Sequence, residues 1–110
     1  MIKENFFYKH NKVFQELIKL DTNSISKLLI FRKCLLEVQK KKKKVFVFGN
    51  GGSAAIANHF LIDLIKNTKI RAINLNETRI VTCLANDYGY ENWVKKGIEL
   101  SADKGDLVII

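Results

Sequence analysis

The sequence contains no proline, no long apolar run and only two cysteines. It also lacks Ser-rich linkers and internal repeats, and its 110 residues suffice for one small domain and not two. The absence of about 18 consecutive apolar residues predicts no membrane span. Residues 1–12 lack the apolar core and the small-residue cleavage site of a secretory signal. We therefore expect a cytoplasmic protein without a membrane partner.

The two cysteines do not form a recognisable motif. Cys34 and Cys83 are far apart and match no spacing of metal ligands. Because disulfides are rare in the cytoplasm, we predict that both are reduced, partly buried thiols.

The formal net charge of +8 owes much to five consecutive lysines, Lys40–Lys44. Such a run can bind nucleic acid or an anionic surface. It also falls at the predicted carboxyl end of a helix, where cations suit the helix dipole. Because no aromatic residues for base stacking are interleaved with the lysines, we favour the helix-end interpretation and do not expect a nucleic-acid partner.

The segment from Val45 to Asp63 organises the rest of the chain. Val45–Phe48 is a short apolar run, typical of a strand buried on both faces. The glycine-rich segment Gly49–Ser53 permits a sharp turn and a close approach by a ligand, and Ser53 is a favourable N-cap for a helix from Ala54 onward. A strand, a glycine turn and a helix N-terminus together predict a site for an anion or a polyhydroxylated ligand.

The same predicted helix carries His59 and Asp63. They are four residues apart, so both project from one face about one turn beyond the glycine loop. A histidine and a carboxylate at this spacing can form half of a divalent metal site or an acid–base pair. They can equally form a structural hydrogen bond on a helix surface.

The remaining pattern predicts an α/β fold with parallel strands, because helical segments separate the apolar runs. The wide apolar face of the first helix predicts self-association. The chain ends inside its last strand with no helix to cover that strand, so we expect it to be part of a longer protein. The predicted elements are helices at 4–20 and 24–39, strands at 45–48, 70–75 and 106–110, helices at 54–66, 78–85 and 91–101, a turn at 67–68 and a polar loop at 86–90.

Two motifs carry a family resemblance: Gly49–Ala55 followed by Ala57, His59 and Phe60, and later Asn86–Tyr90. In this order and spacing they resemble the SIS (sugar isomerase) domain, and within it the phosphoheptose isomerases. The resemblance covers residues 43–110, which would be the amino-terminal part of the domain, after a helical segment at 1–42. It implies a Rossmann-like three-layer fold with a parallel sheet, preceded by two helices and assembled as a homotetramer.

The resemblance also implies a reaction. Phosphoheptose isomerases convert sedoheptulose 7-phosphate to D-glycero-D-manno-heptose 7-phosphate, for nucleotide-heptose synthesis that supplies lipopolysaccharide or capsule. Proton transfer passes through an enediol, and a zinc ion sits on a histidine and a glutamate that correspond to His59 and Asp63. The residues implied to be catalytic are His59 and Asp63, and those implied to contact the substrate are Asn50, Gly51, Gly52, Ser53, Asp63, Asn86 and Asp87.

The sequence departs from the family pattern at two points. Asp63 is one methylene shorter than the family's glutamate, although proton abstraction depends on close reach. The family's serine-rich phosphate loop and its carboxyl-terminal glutamine and histidine are not in these 110 residues, so we expect this chain alone to lack a complete active site. The alternative is a non-catalytic SIS module that binds a sugar phosphate or a protein partner. A nucleotide-binding domain is not favoured, because residues 49–52 match neither GxGxxG nor a P-loop.

Overall fold

The computed structural model describes the backbone of residues 4–19 and 21–110, in two compact units. The first unit ends at Lys33, and the second runs from Cys34 to Ile110. The domain boundary expected near residue 42 stays a prediction. The helices are α1 (Glu4–Leu17), α2 (Thr22–Lys40), α3 (Gly52–Asp63), α4 (Thr78–Tyr88) and α5 (Trp93–Ser101), with a π-helix at Leu64–Thr68 and a 3₁₀ turn at Tyr90–Asn92.

The second unit is built on a three-stranded parallel sheet. Its strands are β1 (Lys44–Val47), β2 (Arg71–Ile73) and β3 (Leu107–Ile109). The strand order is β2-β1-β3, and both neighbours pair with β1 in parallel. The predicted α/β class and the parallel direction of all three strands are therefore confirmed. β1 has its predicted length but begins one residue earlier, whereas β2 is three residues and β3 two residues shorter than predicted.

The central strand is covered on both faces, as its uniformly apolar sequence predicted. Because side chains alternate along a strand, Val45 and Val47 pack on one side with Val38 of α2 and Ala57 of α3. On the other side, Phe46 and Phe48 pack with Leu84 of α4 and Trp93 of α5. The Phe48 and Trp93 rings meet edge to face, with centroids 5.8 Å apart, so Trp93 is a core residue.

Two helices continue through segments that the sequence predicted to be turns. Helix α4 runs on to Tyr88 instead of ending at residue 85, because Gly89 supplies the positive φ of +87° that ends it. After α3, the chain stays helical as a π-helix until Lys69, which takes a left-handed conformation. In both places a left-handed or glycine residue fixed the helix end, and the turn preference of Asn86, Asp87 and Asn67 did not.

The prediction of partly buried thiols is wrong, because Cys34 and Cys83 are both exposed. Each lies on the outer side of its helix, and burial of its neighbours Val38 and Leu84 sets which side faces the core.

In the first unit, α1 ends at Leu17, earlier than the predicted residue 20, which lies outside the described residues. No helix in the described residues is long and apolar enough to cross a membrane. Many apolar side chains of this unit are exposed, while Phe6 and Phe7 lie outside the described side chains. The large exposed ones are Tyr8, Val13, Phe14, Leu17, Ile18, Ile25, Leu28, Leu29 and Ile30.

Candidate active site

The glycine loop follows the carboxyl end of β1 and leads directly into α3. The N-cap of α3 is Gly51, with φ +54° and ψ −123°, and the predicted N-cap Ser53 is the second residue of the helix. The serine hydroxyl instead donates to the carbonyl of Asn50 and accepts the N–H of Asn50, both at 2.7 Å. Ser53 therefore closes the loop on itself and leaves the start of the helix uncapped by any side chain.

The loop presents unpaired backbone donors. Ser53 and Ala54 donate their N–H groups to the carbonyls of Asn50 and Gly51, 3.1 Å away in each case. Among the described residues, no acceptor takes the N–H groups of Gly51 and Gly52. A Cβ built on either glycine meets nothing within 4 Å, so there is open space beside the loop at the positive end of the α3 dipole.

Gly49 has a different task, because it packs against the first turn of α3. A Cβ at Gly49 would lie far inside 3.0 Å of the Ser53 carbonyl group and the Ala54 nitrogen. The carbonyl of Gly49 accepts a hydrogen bond from Nδ2 of Asn76 at 2.5 Å. Asn76, which the sequence analysis did not single out, therefore fixes the loop from the segment after β2.

A cavity of ≈ 360 Å³ opens beside this loop. Two of its lining residues are bonded to each other, because the Tyr90 hydroxyl donates to Oδ1 of Asn50 at 2.8 Å. This bond occupies the Asn50 oxygen and leaves its NH₂ group for a ligand. Tyr90 belongs to the Asn86–Tyr90 motif, but no role in the site was assigned to it from the sequence. Its position directly after Gly89 was the only sequence feature that marked it. The lining residues are Phe48, Gly49, Asn50, Ser53, Tyr90, Glu91, Trp93, Val94 and Ile110.

His59 and Asp63 lie together on the exposed side of α3, as their spacing predicted. Nε2 of His59 is 3.7 Å from Oδ2 of Asp63, and the side chains are 82% and 50% exposed. Asn67 of the π-helix places Nδ2 3.4 Å from the other Asp63 oxygen. The pair lines an open concavity of ≈ 520 Å³ with Ala55, Ile56 and Phe60. It is thus accessible to a ligand from outside the helix.

The described residues do not complete a zinc site. Zinc takes three or four protein ligands, and His59 and Asp63 supply two. Nowhere among the described side chains do three or more His, Cys, Asp or Glu residues cluster in a way that could hold a metal ion.

Asn86 and Asp87 lie in the last turn of α4 and not in a loop. Nδ2 of Asn86 is 3.1 Å from Oδ1 of Asp87, and Sγ of Cys83 is 3.8 Å from the other oxygen of Asp87. Neither side chain lines the cavity beside the glycine loop. The predicted site residues thus fall into three local groups, and their joint action on one substrate stays a prediction.

Comparison with known proteins agrees with this architecture. Residues 5–110 match the SIS domain family. The chain is 35% identical to phosphoheptose isomerase of Geobacter metallireducens, over 76% of this chain and 47% of that protein. It is 33% identical to phosphoheptose isomerase of Aliarcobacter butzleri, over 99% of this chain and 58% of that protein.

A solved structure gives the same relationship. Phosphoheptose isomerase from Neisseria gonorrhoeae superposes with a TM-score of 0.71 at 27% identity, over 93% of this chain and 54% of that one. The present chain therefore spans about half the length of the proteins that it matches.

Proposed function

Because the chain belongs to the SIS domain family, we propose that it serves in an aldose–ketose isomerase acting on a sugar phosphate. We propose sedoheptulose 7-phosphate as the ketose and D-glycero-D-manno-heptose 7-phosphate as the aldose. The observation that carries the proposal is the open glycine loop of Gly51 and Gly52 at the start of α3, the helix that also carries the accessible His59–Asp63 pair.

The loop suits a ligand with many hydroxyl groups. The free N–H groups of Gly51 and Gly52 and the NH₂ group of Asn50 are donors, and the hydroxyl of Ser53 is held in the same turn. These donors can take sugar hydroxyl oxygens or a phosphoryl oxygen. We propose that Asn86 and Asp87 contact further hydroxyls from the end of α4.

The reaction needs a base and an acid, and the proposal assigns them to the helix α3 pair. The Asp63 carboxylate takes the proton from C1 of the ketose, and the electron pair of that bond forms the C1–C2 double bond of the enediol. Protonated His59 gives its proton to the oxygen on C2. The aldose then forms when protonated Asp63 gives a proton to C2 and His59 takes the proton of the C1 hydroxyl, whose O–H electron pair becomes the C1=O double bond. Both groups are within one helical turn, as this exchange requires.

The substrate must reach both parts of the site. His59 and Asp63 lie roughly 9–15 Å along the helix from Ser53, at about 1.5 Å per residue. A phosphorylated seven-carbon ketose in extended form is long enough to contact the loop at one end and the acid–base pair at the other. Since His59 and Asp63 alone do not form a zinc site, no step of this proton transfer is assigned to a metal.

Membership of the SIS domain family also supports proposals on the pathway and on the assembly of the protein. We propose that the product feeds nucleotide-heptose synthesis for lipopolysaccharide or capsule in the cytoplasm. We also propose that the protein works as a homo-oligomer, a tetramer by resemblance to the family. The exposed apolar side chains of α1 and α2 support association with a second copy.

Turnover of sedoheptulose 7-phosphate by Asp63 variants of the whole protein tests the assignment. Asp63→Asn should lower kcat by several orders of magnitude and spare substrate binding, because an amide cannot accept the proton. Asp63→Glu is the matched control and should keep activity, since it retains the carboxylate. Recovery of Asp63→Asn by added zinc would instead identify Asp63 as a metal ligand. Substrate binding without isomerisation by the unaltered protein would favour the non-catalytic module.

A further inference from the structure

A second polar cavity, of ≈ 380 Å³, opens at the end of the sheet opposite the glycine loop. It lies where β1 and β2 begin, and Lys44 and Arg71 are paired in register there. Four of its six lining side chains are cationic and none is acidic. We call it the basic cleft; its lining residues are Gln39, Lys42, Lys43, Lys69, Ile70 and Arg71.

The cations of the basic cleft are not neutralised by the described part of the chain. Neighbouring lysines do have partners: Lys41 contacts Glu37 at 3.4 Å, and Lys44 contacts Asp106 at 3.0 Å. Among the described side chains, those of residues 8–19 and 21–110, no carboxylate lies within 4.0 Å of the four cations in the cleft. The cleft is therefore an uncompensated positive site, which attracts anions.

Two of the four cations occupy backbone positions that normally select glycine. Lys42 has φ +53° and Lys69 has φ +58°, both in the left-handed region. Lys42 is the C′ residue of a Schellman motif, because its N–H bonds the Gln39 carbonyl at 3.0 Å and the N–H of Lys43 bonds the Val38 carbonyl at 2.9 Å. Lysine is strained here and glycine would not be, so stability does not explain these side chains.

Helix dipoles do not explain them either. Cations near a helix carboxyl end are stabilising, but Lys40 already lies in the last turn of α2 and Lys66 in the last turn of the π-helix. The further lysines at 42 and 69 lie beyond these helix ends, and both line one cleft.

The walls of the cleft are held in place. Nε2 of Gln39 donates to the carbonyl of Thr68 at 2.5 Å, which ties the end of α2 to the segment before β2. The stem of Lys43 lies against Gly105, where a Cβ would be 3.4 Å from its Cε. A site with fixed walls loses less freedom on binding than a mobile surface.

We propose that the basic cleft binds a compact phosphate-bearing anion, such as a polyphosphate or a phosphate ester. Arg71 can bind two phosphate oxygens at once, and the three lysines can neutralise the remaining charge. The volume falls in the range of small-molecule sites. No aromatic side chain lines the cleft to stack a base, which favours a small anion over nucleic acid.

Calorimetric titration of inorganic tripolyphosphate into the purified protein at physiological ionic strength tests this. The variant Lys42→Gly/Lys69→Gly removes two cleft cations and suits both left-handed positions. We expect its affinity to fall at least about tenfold, with a melting temperature equal to or above that of the parent. Arg71→Gln, within a strand, should give a similar loss and serves as the second variant.

The charge-matched control is Lys12→Gln/Lys27→Gln, on α1 and α2. Both double variants lower the formal charge from +8 by two, to +6. We expect the control to bind tripolyphosphate within about twofold of the parent, since neither Lys12 nor Lys27 lines the cleft and salt screens exposed charges. An equal loss in the control would overturn the proposal in favour of bulk electrostatics. So would tighter, competing binding of a single-stranded RNA oligonucleotide, or no tripolyphosphate binding by the parent.

Discussion

The hydroxyl of Tyr90 donates to Oδ1 of Asn50 at 2.8 Å, and so joins residues forty positions apart. Asn50 belongs to the glycine loop after β1, whereas Tyr90 begins the 3₁₀ turn before α5. Both residues line the cavity beside the loop. The bond orients the Asn50 amide so that its two N–H donors remain for a ligand.

Removing this bond should weaken ligand binding more than it weakens the fold. Tyr90→Phe deletes one hydroxyl at an exposed position, so we expect the dissociation constant for the sugar phosphate to rise about fivefold with little change in melting temperature. Tyr88→Phe is the matched control, because Lys96 lies over its ring, 5.2 Å from the centroid, and Phe keeps that ring. Equal affinities of Tyr90→Phe and the parent would show that the bond has no part in binding.

Replacing Gly49 or Gly52, two glycines of the same loop, by alanine should change the stability of the fold in opposite directions. Gly49→Ala places a methyl group against the Ser53 carbonyl, and we expect it to cost at least about 2 kcal/mol of unfolding free energy. Gly52→Ala meets nothing within 4 Å and sits in the first turn of α3, so its stability should equal or exceed that of the parent by up to about 1 kcal/mol. Urea denaturation measures both. Comparable losses for the two variants would contradict the close packing assigned to Gly49.

The Asp106 carboxylate should make the fold sensitive to acid. Its side chain is 1% exposed. Burial by itself raises the pKa of Asp106, but hydrogen bonds from the N–H groups of Asp103 and Lys44, together with the Lys44 ammonium, outweigh it and hold the pKa below its usual value. A lowered folded pKa contributes stability above the unfolded value of about 3.9, and that stability is lost as the pH falls toward the folded pKa.

The melting temperature should therefore fall as the pH drops below about 4. Asp106→Asn should cost about 3 kcal/mol at pH 7, because it leaves the Lys44 charge poorly paired, and should flatten the acid dependence. Asp103→Asn, at an exposed partner of Lys44, should cost less than about 1 kcal/mol. The test is differential scanning calorimetry from pH 3 to 7. An acid dependence in Asp106→Asn as steep as in the parent would rule out this carboxylate as its source.

The exposed apolar side chains of α1 should drive self-association. Sedimentation of the parent is expected to show dimers or larger species. Phe14→Asp/Leu17→Asp should shift the distribution toward monomer, because a charge on the apolar face opposes its burial. Gln15→Asp adds charge to the same helix without removing apolar surface and should leave the distribution unchanged. A stable, folded monomer of the parent would defeat the prediction.

The sequence was sufficient for the elements with strong periodic patterns. The apolar run at Val45–Phe48 and the later runs predicted three parallel strands because a buried strand needs apolar residues on both faces. The four-residue spacing of His59 and Asp63 predicted their proximity, since residues at this spacing share a helix face. Both inferences depend on local geometry alone.

Features set by long-range contacts could not be read in the same way. The bonds from Asn76 to Gly49 and from Tyr90 to Asn50 join distant parts of the chain. Serine is a residue type favoured at the N-cap, but the helix begins earlier than Ser53, with Gly51 at a positive φ as its N-cap. The anion binding proposed for the basic cleft also needs Lys69 and Arg71, which are distant from Lys42 and Lys43 in the sequence. Only the fold brings these residues together.

Hydrogen exchange at the substrate tests the proposed isomerase most directly. The whole protein is incubated with sedoheptulose 7-phosphate in D₂O, and proton NMR follows the hydrogens on C1 and C2. Proton abstraction by Asp63 through an enediol predicts that deuterium is incorporated at C2 of the aldose and at C1 of the recovered ketose. Asp63→Asn should show neither incorporation. Binding of the sugar phosphate without any deuterium incorporation by the parent would contradict the account.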